Sequence, residues 1–324
     1  MLNPLKPTHA GRFKTYCKEK NMSIKKVVVA GGGVLGSQIA FQAAFKGFDV
    51  TIWLRSDASI GRSQPKIDRL HNIYLAEFKD IKTKLGTEGA AFPRGLIDDP
   101  EHISAEKIAE LEAKTEAAYK NLKLTTDLVA AAKDADIVIE SMAENPQAKK
   151  EFYDALSAVL EDKTIVATNS SSMVPSMFRD HVKNPKRYLA IHFANNIWRN
   201  NMTEIMGHDG TDPAAFDAVV AFAKDIGMIP LKVLKEQPGY LLNSILIPFF
   251  NGRRSTACKR SRRRKNHRLG MEARHGKPAR PLPNPRHRRF GNGVQHYDEP
   301  SRLFRSGFAP RAHRENPERL HRRR

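Results

Sequence analysis

Cysteine is almost absent from this chain, with two among 324 residues, Cys17 and Cys258. Neither a disulfide framework nor a cysteine metal centre follows from such a pair, and no metal site is expected. Long apolar runs are missing as well. The longest, Tyr240 to Phe250, is broken by Asn243 and Ser244 and falls far short of the ~20 residues that cross a bilayer. Residues 1–21 lack the apolar core of a secretory signal, so they are expected to be an extension ahead of Met22. A soluble protein of a reducing, cytoplasmic compartment is the expectation.

Acidic residues are what the last part of the chain lacks. Residues 252–324 hold 5 of the 35 Asp+Glu but 23 of the 55 Lys+Arg, and so carry +18 of the +20 net charge. The residues before them are almost neutral, at 32 basic against 30 acidic. Basic usage changes too, from 24 Lys and 8 Arg before the break to 3 Lys and 20 Arg after it. An overall basic charge usually points to an anionic partner, but averaging over two dissimilar compositions misleads. Seven prolines and no sustained apolar period in residues 252–324 predict a disordered segment unable to bury a core.

What is present before the break is a regular alternation of strand and helix signals. Lys25 to Ala30 is a β-branched run suited to a buried parallel strand, Val34 to Lys46 has apolar residues at helical spacing, and Asp49 to Leu54 reads as a second strand. Gln64 to Leu85 and Ala105 to Leu122 predict a helical hairpin inserted before the sheet resumes. Strands follow at 136–140, 163–168, 187–193 and 229–234, with helices at 146–160 and 213–226. The pattern predicts an α/β, Rossmann-like, doubly wound and mostly parallel sheet over residues 22–235. Residues 236–251 then read as the first helix of a second, helical domain.

Gly31, Gly33 and Gly36 form G-x-G-x-x-G between the first strand and the first helix, the context in which a dinucleotide pyrophosphate rests on a helix N-terminus. Leu54 stands where an acid would receive the adenosine ribose. Either Asp57 serves NAD from a shifted position, or Arg55 and Ser56 receive the 2′-phosphate of NADP.

His192 closes the strand RYLAIHF, and Glu204 opens another short strand twelve residues on. A histidine at a carboxyl strand edge lies where such sheets bind ligands, and a carboxylate beside it would fix its tautomer. Asn169 to Ser172 place an amide and hydroxyls at a neighbouring strand end, and Asn243 puts an amide on an otherwise apolar helix.

Together these segments resemble the 3-hydroxyacyl-CoA dehydrogenase family, 3-hydroxybutyryl-CoA dehydrogenases included, from about Ile24 to Asn251. The likeness rests on DIVIESMAENPQAKKEFY, on N-x-S-S at 169–172, on H-F-x-N at 192–195 and on PGYLLN at 238–243. The resemblance implies His192 as catalytic base and Glu204 as its orienting carboxylate. It places Ser171 and Asn243 around the reacting oxygen, and Glu144 and Lys149 near the nicotinamide and its ribose. It also implies an acyl-CoA substrate and a homodimer built by the helical domain. HFANN departs from the family's H-F-F-N-P at Ala194 and Asn196.

Read one base out of phase, the codons behind the segment from Gly270 permit LGTGNPPGPF, those from Arg286 permit ILDIVGLGTAYN, and those behind RENPERLHRR permit AKILNDYIDE. These resemble pieces of the family's helical domain. A one-base frameshift near Asn251 is therefore expected to have replaced that domain, leaving a chain of doubtful activity and no native dimer. The alternatives are an inactive nucleotide-binding remnant, or a Rossmann protein with an Arg-rich arm for nucleic acid, whose charge would give only non-specific attraction.

Overall fold

A computed structural model describes residues 24–258, with side chains described as far as Phe250. The expected N-terminal extension and residues 259–324 of the Arg-rich segment lie outside the described residues, and with them the nucleic-acid reading and the out-of-phase segments.

The described chain runs β1 (Lys26–Ala30), α1 (Val34–Phe45), β2 (Asp49–Trp53), α2 (Asp57–Thr83), α3 (Ala105–Asn121), β3 (Lys123–Thr125), α4 (Leu128–Ala132), β4 (Ile137–Glu140) and α5 (Pro146–Ser157). It continues through β5 (Ile165–Thr168), β6 (Tyr188–Phe193), β7 (Met202–Met206), α6 (Pro213–Asp225), β8 (Ile229–Val233) and α7 (Tyr240–Cys258). The eight strands form one sheet in the order β3-β2-β1-β4-β5-β6-β7-β8. Every adjacent pair is parallel except β6 and β7. Strand order reverses between β1 and β4, which opens a crevice at their carboxyl ends.

Alternation along β1 shows why its unbroken apolar run is needed. Val27 and Val29 face one core with Phe41, Phe45, Tyr74 and Phe222, whereas Val28 and Ala30 face another with Phe152, Tyr153 and Tyr188. Both sheet faces are covered, so a polar residue on either side of this strand would be buried. The helical hairpin seals the first core, where Tyr74 of α2 meets Phe41 and Phe45 edge-on at 5.0 and 5.4 Å.

Helix starts follow the capping chemistry of the sequence. Ser104, Asp127, Asn145 and Asp212 each accept a first-turn N–H at the heads of α3, α4, α5 and α6. Proline follows the cap in α5 and α6.

The structure departs from the sequence reading in four places. Helix α2 begins at Asp57, seven residues before the expected Gln64, and carries Pro65 in its interior. Ser63 anchors the extra turns by donating to the Gly32 carbonyl at 3.0 Å. Strand β3 and helix α4 were not expected, because three and five residues are too short to show a period. Glu204 sits in the middle of β7 rather than at its start. Finally, α7 runs on to Cys258, past the compositional break at Asn251, so the disordered segment does not begin at residue 252.

Candidate active site

The glycine loop is shaped by what a side chain would strike. Gly31 has φ +119°, and a Cβ there would lie 2.5 Å from the Ser141 carbonyl oxygen. A Cβ on Gly36 would lie 2.1 Å from the Gly31 carbonyl oxygen, so only glycine lets α1 close onto the turn. Nothing stands within 4 Å of a Cβ on Gly33, the N-cap of α1. That cap supplies no side-chain hydrogen bond, and the first turn of α1 has no acid. First-turn N–H groups beside open space, with no negative charge among them, fit a pyrophosphate.

On the neighbouring strands, antiparallel pairing of β6 with β7 sets His192 directly opposite Glu204. Directly opposed residues project to one face. The ring Nδ1 lies 2.9 Å from Glu204 Oε2, with His192 6% and Glu204 1% exposed. Glu204 Oε1 accepts the backbone N–H groups of Leu241 and Leu242 at 2.7 and 2.8 Å. Burial pushes this carboxyl up, but the His192 ring and the two N–H groups outweigh it and hold the carboxyl below the ordinary carboxylate range. An ionised Glu204 fixes the proton on Nδ1 and leaves Nε2 to exchange a proton with a ligand. Because its folded pKa is depressed, the stability this carboxylate contributes is present above the ordinary carboxylate range and is lost as pH falls through the depressed value.

Tyr240, the first residue of α7, stacks on the His192 ring at 4.6 Å between centroids and 21° between planes. It is fully buried and holds φ at +53°, a conformation non-glycine residues rarely adopt. Its phenol oxygen has no hydrogen-bond partner among the described residues. Burial first, then the carboxylates of Glu144 and Glu204, push the phenol's pKa far up, so it stays protonated.

Two further carboxylates divide the work at the ends of β4 and β5. Glu140 is fully buried and accepts both of its short bonds, 2.6 Å each, from Lys149 Nζ. Tyr153 and Thr168 hydroxyls and the Met142 N–H complete its shell. Glu144, 3.7 Å from the same ammonium, accepts from the Ser170 hydroxyl and from both the N–H and the hydroxyl of Ser171. Asn169 ties the strand ends together, its Oδ1 accepting the Phe193 N–H at 3.0 Å and its Nδ2 donating to Ser141 Oγ at 3.2 Å.

Of the residues the sequence proposes, His192 and Glu204 are in direct contact, and so are Ser171 and Glu144. Lys149 lies 1% exposed beneath them, paired with Glu140, a residue to which the sequence reading gave no role. Asn243 is half-buried, one turn into the helix whose head is fastened to Glu204, and its N–H donates to the Gly239 carbonyl. Arg55 and Asp57 are exposed beyond β2. The stacking role of Tyr240 was missed, although its signal, an aromatic just after Pro238-Gly239, stands in the motif.

The profile of the NAD-binding domain of 3-hydroxyacyl-CoA dehydrogenase matches residues 26–237. The fatty acid oxidation complex subunit alpha of Idiomarina loihiensis is 29% identical over 242 residues, which are 75% of this chain and 29% of that protein. The 3-hydroxybutyryl-CoA dehydrogenase of Bradyrhizobium diazoefficiens is 30% identical over 233 residues, 70% of this chain and 67% of that one. A solved structure of a diketoreductase, described as acting on dicarbonyl compounds, is 33% identical with a TM-score of 0.65 and covers 79% of this chain and 80% of that one. The chain thus spans less than a third of the first relative and about two thirds of the second.

Two outcomes follow from these contacts. Gly36→Ala should lower the midpoint of thermal unfolding, whereas Gly33→Ala should change the unfolding free energy by no more than about 1 kcal/mol and weaken dinucleotide binding about ten-fold or more, read by calorimetric titration. Lys149→Met should destabilise by about 3 to 5 kcal/mol in urea unfolding, since Glu140 is left buried without its cation. Adding Glu140→Gln should recover most of that loss.

Proposed function

The chain belongs to the 3-hydroxyacyl-CoA dehydrogenase family, and from that premise we propose that it interconverts 3-hydroxyacyl-CoA and 3-ketoacyl-CoA with a nicotinamide dinucleotide, NAD or NADP, as redox partner. The observation that carries this reading is the His192–Glu204 pair, 2.9 Å apart and buried at the carboxyl edge of the sheet that also holds the glycine loop.

His192 Nε2 removes the proton of the C3 hydroxyl as the C3–O bond becomes a carbonyl, and returns it in the reverse direction. A bound nicotinamide would supply the acceptor for the C3 hydrogen as hydride, or its donor in the reverse direction. Glu204 keeps the Nδ1 proton in place and stabilises the imidazolium that proton transfer creates. Ser171 and Asn243 hydrogen-bond the substrate around its reacting oxygen. Ser171 must turn its hydroxyl from Glu144 to do so, or accept rather than donate. Glu144 and Lys149 support the nicotinamide end, Lys149 from below through its pairs with Glu140 and Glu144.

One observation favours a second reading, a folded nucleotide binder without turnover and without the dimer that the resemblance implies. Leu241, Ile245, Phe249 and Phe250 of α7 are exposed at 44%, 69%, 42% and 43%. Apolar surface spaced along one helix in this way normally meets a covering domain or subunit, and nothing covers it among the described residues.

The test is reduction of acetoacetyl-CoA by the full chain, followed as loss of nicotinamide absorbance. Turnover supports the dehydrogenase, and binding without turnover supports the second reading. In an active enzyme His192→Gln should lower kcat by about 10² to 10⁴ with coenzyme affinity retained, and near-normal turnover in that variant would falsify the assignment of the base.

A further inference from the structure

Resting on the reading of the glycine loop as a dinucleotide site, we propose that its ribose corner takes a 2′-phosphate, so that the coenzyme is NADP(H), recognised by Arg55, Ser56, Ser59 and Arg62. Register decides which residues form that corner. Ala30 of β1 pairs with Trp53 of β2, and the Gly31 N–H donates to the Trp53 carbonyl at 3.0 Å. The residue after Trp53 is therefore set beside the loop, at the position where an acid accepts the ribose hydroxyls and repels a 2′-phosphate.

Leu54 occupies that position and has nothing with which to accept a hydroxyl. It is 3% exposed, with its Cδ2 2.9 Å from where a Gly32 Cβ would sit, so it packs under the loop as core. Asp57, the nearest acid, belongs to the first turn of α2, and its Oδ1 accepts the Thr126 hydroxyl at 3.3 Å, on the side of β3.

The groups that do present themselves are cationic or hydroxylic. Because Ser63 fastens α2 to the Gly32 carbonyl, the first two turns of that helix border the loop. Arg62 Nη2 donates to Ser59 Oγ at 2.7 Å, and the Ser59 and Ser56 hydroxyls are 3.0 Å apart. The Ser56 hydroxyl does not cap the helix it precedes. Arg55 is exposed, and neither arginine forms an ion pair with a carboxylate among the described residues. Two guanidinium groups without an ion pair, and the two hydroxyls that lie between them in sequence, supply charge-assisted donors for a phosphate dianion. The helix N-terminus beneath them has the same sign, offset in part by Asp57 of its first turn.

The test is calorimetric titration of the full chain with adenosine 2′,5′-bisphosphate and with 5′-AMP, the adenosine halves of NADP and NAD. The bisphosphate should bind at least about ten-fold tighter, a difference of about 1.4 kcal/mol. In the Arg55→Leu/Arg62→Leu variant that preference should disappear, with 5′-AMP binding and the unfolding midpoint unchanged. Equal binding of the two nucleotides, a preference that survives in the variant, or binding of neither overturns the proposal. Since the readout contains no acyl-CoA chemistry, preference for the bisphosphate in a chain that does not reduce acetoacetyl-CoA would sink the dehydrogenase and leave this assignment standing.

Discussion

One carboxylate holds the site together. Glu204 receives the imidazole of His192 on one oxygen and the first two free N–H groups of α7 on the other. The charge that fixes the tautomer of the imidazole is therefore also the N-terminal anchor of the helix carrying Tyr240 and Asn243. Taking this carboxylate out of water is costly, and it stays ionised only because three donors converge on it. Moving any of the three elements, β6, β7 or the head of α7, would disturb the other two. The strained backbone of Tyr240 lies at that junction, its ring flat on the imidazole.

A second buried ion pair keeps charge off the floor of the crevice. Glu140 and Lys149 neutralise one another inside a shell of hydroxyls and backbone N–H, so Glu144 above them is left to organise the loop after β5. Asn169 then bridges that loop to β6 and to Ser141 after β4. Three consecutive strand ends, those of β4, β5 and β6, are thus held in relative position by side-chain hydrogen bonds. In the proposed dehydrogenase, orientation of this kind would let one histidine exchange a proton while a hydride moves nearby.

Much of this was legible in the sequence. The valine run of β1, the glycine spacing and the H-F-x-N strand end each carry a local signature, and they fell on the expected elements. Pairing of His192 with Glu204 was also within reach, because an antiparallel return through the eight residues 194–201 brings residues twelve apart into register. What escaped was set by tertiary contact. Nothing in DIVIE marks Glu140 as the buried partner of Lys149, since the match is made only when α5 folds across β4. The early start of α2 escaped because Pro65 reads as a helix beginning, while the turns before it are held by the contact of Ser63 with Gly32. At α7, composition changed before the helix ended, and helix-forming residues such as Arg253 and Arg254 carried it on to Cys258.

The charge carried by residues 252–324 therefore says little about this crevice, whose residues all precede Asn251. The central claim is that His192 and Glu204 act as one unit. A double-mutant cycle tests it most directly, with kcat for acetoacetyl-CoA reduction measured in His192→Gln, in Glu204→Gln and in the double variant. The Glu204→Gln side chain keeps one oxygen to accept the α7 N–H groups, so if the lost charge works only through the imidazole the double variant should be no slower than His192→Gln alone. Losses that multiply independently would contradict the account.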